Sequence, residues 1–287
     1  MAQNTASIST APATPVLDPA TDPLIERTRT VWSSGNFDRI AVGYAAGAAA
    51  FVDRLEIAPG EYVLDVACGT GNLTLPAARR GARVVGVDIA PNLIETARAA
   101  AREAGLDARF DVGVAEALAY ETGTFDTVIS MFGVMFSPYP EPSLAELLRV
   151  TRPGGRIALA NWTPDGFIGS MLRAHTALVP PPAGVPSVLQ WGDEAAMRAR
   201  LERHDGAYRD VTFTPRTIVF RFPVPPEGVV QLFREFYGPS VRTFGALDEA
   251  GRAQLTATLA ALWDGRNRAT DGTTDVEGEY LEVRVVK

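Results

Sequence analysis

The sequence predicts an α/β fold: a doubly wound, mostly parallel sheet of seven strands, with helices ahead of it and a helical cap inserted before its last strand. Three observations carry that expectation. Tyr62 to Ala67 is apolar and β-branched apart from Asp65, as in a strand buried on both faces. Gly69 and Gly71 follow at once, and Leu73, Leu75, Ala77 and Ala78 then open a helical face. A second apolar run, Ala82 to Val87, ends in Asp88, seventeen residues after Gly71. Strand, glycine turn and helix in that order make a nucleotide-binding corner. Glycine lets the backbone approach a ligand closely, and a helix start leaves N–H groups unpaired. An acid at the tip of the second strand is where such folds grip a ribose diol.

The elements follow in order. Residues 1–22, rich in Ala, Thr, Ser and Pro, read as a solvated, disordered tail. From Pro23, the spacing of Leu24, Ile25, Thr28, Val31 and Trp32 predicts a helix, and Phe37 to Leu55 predicts a second, alanine-rich one. Pro59-Gly60 closes this N-terminal helical unit, 23–60, ahead of the first strand. Pro91 starts an amphipathic helix that carries Leu93, Ile94, Ala97 and Ala101 and stops at Gly105. Ala108 to Val112, Phe125 to Met131 and Arg156 to Asn161 read as the third, fourth and fifth strands, with a helix over Glu141 to Val150. Helical segments follow at Asp165 to Leu178 and Asp193 to Arg203, and Asp210 to Phe222 alternates as a long sixth strand that ends the core, 61–222. Pro223 to Glu277 holds two helical patterns, Val229 to Tyr237 and Glu249 to about Arg268, and reads as the inserted cap. Residues 278–287 supply the last strand, Tyr280 to Val286.

Two cofactor classes share a strand–glycine–helix corner, and the dinucleotide fingerprint wants a third glycine where Thr74 stands. Val63-Leu64-Asp65-Val66-Ala67-Cys68-Gly69-Thr70-Gly71 instead resembles motif I of the class I S-adenosylmethionine-dependent methyltransferases. Val84 to Ile89, Phe125 to Ser130 and Arg152-Pro153-Gly154-Gly155-Arg156 resemble that family's later motifs in the right order. With Asn161-Trp162 following, the pattern looks like the quinone-biosynthesis-type and small-metabolite branch.

The resemblance implies a Rossmann-like core that binds S-adenosyl-L-methionine. It places Asp65, Gly69, Thr70, Gly71, Asp88, Ile89, Val114, Ala115, Glu116, Ser130 and Met131 around the donor, with Asp65 ordering the glycine turn. Gly113 to Leu118 matches the family's adenine segment, except that Val114 stands where an aspartate commonly accepts from the adenine amino group. Backbone groups at Ala115 and packing by Val114 are left to read the ring. Segments before motif I fold over the cofactor in this family, which makes Trp32, Phe37, Arg39 and Tyr44 candidates to close the site. Phe132, Asn161 and Trp162, at strand carboxyl ends, are expected on the acceptor side. Phe233 and Tyr237, on one face of a cap helix, are expected to roof it.

Methyl transfer from a sulfonium needs alignment, exclusion of water and sometimes a base, so a motif marks the donor site better than the acceptor site. His175 is the candidate base, with Asp210, Glu235 and Tyr237 behind it; His204 reads as an exposed turn. No zinc-like Cys/His spacing appears, and no metal is expected. The 27 basic against 34 acidic residues, net −7, argue against a nucleic-acid partner. The absence of a long apolar run argues against a membrane one. Cys68 is the one cysteine, so no disulfide forms within the chain, and the protein reads as cytoplasmic. The expectation is a small-molecule methyl acceptor, with the oligomeric state open. A macromolecular methyltransferase, an NAD-dependent oxidoreductase and a non-catalytic cofactor-binding protein are the alternatives.

Overall fold

The computed structural model describes residues 18–287. Residues 1–17 of the expected tail lie outside the described residues, and the tail's end is already structured. Asp22 caps the first helix, its Oδ1 accepting from the N–H groups of Leu24 at 2.9 Å and Ile25 at 3.0 Å.

Seven strands form one sheet in the order β3-β2-β1-β4-β5-β7-β6. They are β1 (Tyr62–Val66), β2 (Arg83–Asp88), β3 (Ala108–Val112), β4 (Phe125–Met131), β5 (Thr151–Trp162), β6 (Asp210–Phe222) and β7 (Thr274–Val286). β1 to β5 pair in parallel, and β7 runs antiparallel to both β5 and β6. The burial of β1, β2 and β4 is nearly continuous, as parallel strands covered on both faces require. β6 alternates and carries Pro215, which an edge strand tolerates because its outer N–H groups need no partner.

The helices are α1 (Pro23–Ser33), α2 (Asp38–Ala41), α3 (Ala45–Arg54), α4 (Thr74–Arg79), α5 (Pro91–Glu103), α6 (Pro140–Val150), α7 (Phe167–Leu178), α8 (Glu194–Glu202), α9 (Pro226–Phe236), α10 (Gly238–Ala246) and α11 (Glu249–Asp264). The single helix expected over 37–55 is broken into α2, a tight turn at Val42–Tyr44 and α3. Packing against β6 accounts for the break: a Cβ at Gly43 would lie 2.3 Å from the Phe222 ring, and one at Gly47 2.2 Å from Ile218. β5 begins at Thr151, before the expected Arg156, because the Pro-Gly-Gly segment pairs irregularly at its start, with a register shift between Phe125 and Thr127. β7 begins at Thr274, because β6 is long enough to pair with it from Phe222 back to Asp210. The inserted helices therefore end earlier than residue 277. They also include α10, which the glycine and proline at its start disguise.

The insertion does not stand apart. α11 packs on α9 and α7, and α10 packs on α9 and α1. Trp263 of α11 is fully buried among Phe167, Phe220, Phe222 and Phe233, tying the insertion to β6 and α7. Its junction with the N-terminal helices is a close backbone contact. The Asn36 N–H donates to Phe236 O at 3.1 Å, and a Cβ at Gly35 would come within 2.2 Å of that oxygen. A Cβ at Gly238 would lie 2.3 Å from Val31 O. No helix among the described residues is long and apolar enough to cross a membrane.

Candidate active site

The strand order reverses between β1 and β4, and in open α/β sheets the ligand crevice lies outside the carboxyl ends of the strands at that point. A cleft of about 90 Å³ opens there. The glycine turn after β1, Asp88, residues 113–116 and the end of β4 line it, and Trp32, Phe37 and Tyr44 cover it.

The turn is built for close approach. Gly69 and Gly71 have φ of +55° and +93°, which glycine adopts without strain. Asp88 staples the turn to the next helix: its Oδ2 accepts from the Gly69 N–H at 2.8 Å and its Oδ1 from the Ala90 N–H at 2.9 Å. Burial raises the Asp88 pKa, and those N–H groups pull the other way. Asp65 accepts from Thr74 Oγ1 at 2.6 Å, and burial pushes its pKa up to about 7. Burial raises the Cys68 thiol well above its ordinary value, which leaves it a poor nucleophile. Glu116, also raised by burial, accepts from Ser137 Oγ at 2.5 Å on the opposite wall.

Two non-glycine residues at the cleft mouth, Ala67 and Phe132, both hold φ of +56°. Such backbone costs on the order of 1–3 kcal/mol and persists where the surroundings over-determine it. Here they do. Phe132 stacks on Trp162 with ring centroids 3.4 Å apart and planes 10° from parallel. Behind Phe132 lies a narrow chamber of about 20 Å³ whose far walls include Trp162, Met171, Phe220, Phe233 and Tyr237. Trp32, Phe37, Tyr44, Phe132 and Phe136 line both spaces, so cleft and chamber share one aromatic partition. Trp32 is held in it by edge contacts to Phe136 at 5.0 Å, Phe37 at 5.7 Å and Tyr237 at 5.9 Å.

Of the residues expected at the donor, Asp65, Gly69, Asp88, Ile89, Val114, Ala115, Glu116 and Met131 line the cleft. Thr70, Gly71 and Ser130 do not. Thr70 Oγ1 turns to Asp38 at 3.3 Å, Gly71 closes the turn by donating to Cys68 O, and Ser130 Oγ donates to Val66 O at 2.7 Å, locking β4 to β1. On the acceptor side, Trp162, Phe233 and Tyr237 line the chamber, but Asn161 lines neither space. Successive strand residues point to opposite faces, so the face that takes Trp162 to the chamber turns Asn161 away. Its amide is buried without a partner among the described residues.

His175 is corrected too. It lines neither space, its Nδ1 lies 2.8 Å from Met171 O and its Nε2 2.8 Å from Ser240 Oγ, and burial lowers its pKa. It is a neutral link from α7 to α10. Asp210 and Glu235 are exposed and line neither space, and His204 is half-buried rather than exposed. Arg39 is exposed, with its guanidinium 5.4 Å from the Phe236 ring centre, so it braces the roof from outside. Sequence reasoning missed Phe220, Met171 and Ile168 of the chamber. Alternation marks Phe220 as inward-facing but cannot say which helices it faces.

Fold and cleft together define an α/β enzyme of the cofactor-binding, doubly wound class. The family described as "Methyltransferase domain" matches residues 63–155. Relatives matched over most of the chain include an uncharacterized protein of Mycobacterium tuberculosis (strain ATCC 25618 / H37Rv), 38% identical over 88% of this chain and 91% of its own. Another is the demethylmenaquinone methyltransferase of Deinococcus radiodurans, 34% identical over 72% of this chain and 75% of its own. Among solved structures, the YcgJ protein of Bacillus subtilis aligns with a TM-score of 0.55 at 17% identity, covering 84% of this chain and 98% of its own. The [4+2]-cyclase SpnF aligns at 0.52 and 17% identity, covering 90% and 97%. A cyclase on this fold shows that the fold alone does not name a reaction. The family and the sequence relatives do: the chain belongs to the class I S-adenosylmethionine-dependent methyltransferases, and its cofactor is S-adenosyl-L-methionine.

The cleft suits that donor. Bare backbone at Gly69 leaves open the space a Cβ would take, 3.9 Å from Phe37. Asp88 retains acceptor capacity beyond its bonds to Gly69 and Ala90, as a carboxylate with about four lone-pair sites can.

Proposed function

We propose that the chain methylates a small, largely apolar organic molecule seated in the aromatic chamber. The observation that carries this reading is the shared partition. The cleft assigned to the donor and the chamber meet at Trp32, Phe37, Tyr44, Phe132 and Phe136, and the chamber's lining is almost wholly apolar. When bound, S-adenosylmethionine supplies an electrophilic methyl group on its sulfonium. The residues then divide the work. Asp88 accepts from the ribose hydroxyls, the Gly69 turn accommodates the methionine part, and Val114 and Ala115 pack on the adenine. Trp32 and Phe37 exclude water, and Phe132 and Trp162 fix the acceptor ring for in-line displacement. With His175 held by α7 and α10, no imidazole or carboxylate is among the chamber's described lining residues. The chain contributes positioning and dryness there.

The demethylmenaquinone methyltransferases among the relatives and the acidic balance both support a small-molecule acceptor over a nucleic acid. The lone, free Cys68 supports a cytoplasmic setting. The test is a metabolite-library screen for release of S-adenosylhomocysteine, run beside radiolabel transfer in lysate. Turnover with a small molecule is the expected result. Label on RNA or protein, or donor binding with no turnover, would overturn the reading.

A further inference from the structure

The chamber is narrow, so an acceptor whose reacting end meets the aromatic partition needs room for the rest of its body. A groove of about 130 Å³ adjoins that partition at Trp32 and Phe136. A protein cavity of about 150 Å³ holds one benzene ring, so the groove has room for a small ring or a short chain. Thr28 and Ser137 line the groove and the donor cleft alike, which sets the groove against the donor space. Its floor is apolar. Leu24, Val31, Phe136, Val185, Val188 and Pro239 line it, and all six are left half-buried by the fold.

The groove also carries charge of one sign. Arg27 and Arg242 line it, and no carboxylate is among its described lining residues. Their meeting follows from the helix geometry. α1 and α10 touch where a Cβ at Gly238 would lie 2.3 Å from Val31 O. Arg27 stands one helical turn before Val31, and Arg242 one turn after Gly238, so each lies on the face its helix turns to that contact. The ion pairs among the described residues include neither arginine. Nearby arginines are engaged: Arg29 pairs with Glu26 on α1, and Arg252 donates to Phe244 O at 2.8 Å. In a chain of net charge −7, two uncompensated guanidinium groups over an apolar floor are complementary to an apolar anion. The forked donors of a guanidinium match the paired oxygens of a carboxylate or a phosphate.

We propose that this groove holds the anionic end of the acceptor. The apolar body lies on the floor, and one oxyanion, a carboxylate or a phosphate, is taken by Arg27 and Arg242. The acceptor class is then an apolar acid, and the two arginines set its specificity. The inference rests on reading the acceptor as a small molecule, and its test is one of binding.

The full chain is titrated by ligand-observed NMR with phenylacetate, benzylphosphonate and the neutral phenylacetamide. At least one anion should bind about tenfold more tightly than the amide, the lower end of what hydrogen bonds to a charged group contribute. Which anion gains tells carboxylate from phosphate. In the Arg27→Gln/Arg242→Gln double variant the preference should vanish while the amide binds as before, and each single variant should lose part of it. Val188→Trp, which fills the floor and leaves the arginines in place, should weaken all three probes. A parent chain without the preference, a double variant that keeps it, or probes indifferent to Val188→Trp would overturn the proposal. If the metabolite screen finds no small-molecule turnover, the probe preference still tests the groove. If a neutral molecule is methylated and the preference is absent, the groove assignment falls and the function stands.

Discussion

Asp88 staples the glycine turn, and the proposed function gives it a second job on the donor's ribose that substitution can separate from the first. Asp88→Ala removes the carboxylate expected to accept from the donor's ribose. A hydrogen bond to a charged group contributes about 1.5–3 kcal/mol, so donor affinity should fall by roughly ten- to a hundredfold. The same change strips the acceptor from two buried N–H groups, those of Gly69 at 2.8 Å and Ala90 at 2.9 Å. Each unpaired group costs about 1–3 kcal/mol, a large share of a typical folding stability of about 5–15 kcal/mol. Asp88→Asn divides these effects: its amide oxygen can still take one N–H, but it brings no charge to a diol. The asparagine variant should therefore lie between parent and alanine in thermal stability while binding donor almost as poorly as alanine. Calorimetry with S-adenosylmethionine and S-adenosylhomocysteine, beside melting curves, reads both quantities. If both variants melt early but bind donor with parental affinity, Asp88 is a staple for the glycine turn and the ribose must be held elsewhere.

Asp65 gives stability a pH dependence of known sign. Its pKa rises from an ordinary 3.8 to about 7 on folding, so between those values the folded chain holds a proton that the unfolded chain has lost. Stability should thus fall as pH rises through that window and level off above about 7, by up to about 4 kcal/mol at 1.36 kcal/mol per unit. Asp65→Asn should flatten the profile of urea midpoints against pH, and parallel profiles for parent and variant would refute the reasoning. The roof junction offers a geometric test: Gly238→Ala puts a Cβ 2.3 Å from Val31 O, whereas Gly245→Ala on the same helix meets nothing within 4 Å. Urea unfolding should show the first destabilised by about 1–3 kcal/mol and the second neutral or slightly stabilised; equal effects would refute a close-packed junction.

The donor side was legible because its parts are local in sequence. A strand, a glycine turn and the acid ending the next strand are set by short-range geometry, so residues 62–88 announced both an element order and a ligand. Even there the sequence could not tell a residue that touches the cleft from one that supports it. Thr70, Gly71 and Ser130 sit in the motifs as firmly as Gly69 and Asp88, yet their polar groups are spent on Asp38, Cys68 and Val66. Motif membership records what the turn needs in order to exist, and holding the turn is as strict a demand as holding the ligand. The limits of β5 and β7 were misjudged for another reason. Strand length is set by the partner, and only the pairing from Asp210↔Val286 to Phe222↔Thr274 reveals how far β7 extends.

The chamber proposed for the acceptor is assembled from segments far apart in the chain, and that is why its residues were found unevenly. Trp32, Phe132, Trp162, Phe220 and Phe233 arrive from α1, the end of β4, the end of β5, β6 and α9, and no spacing rule links them. What decides membership is which face each element turns inward. Helical periodicity placed Phe233 and Tyr237 on one face, and that face meets the chamber. Strand alternation separates Asn161 from Trp162 by half a turn of the backbone, so two neighbours that look like one motif serve opposite sides of the sheet. His175 fails for the same kind of reason. Met171, one turn earlier on α7, lines the chamber, but the ring of His175 bonds back to Met171 O and across to Ser240. A histidine near a site acts in it only if one ring nitrogen is left over, and here both are occupied in holding α7 to α10.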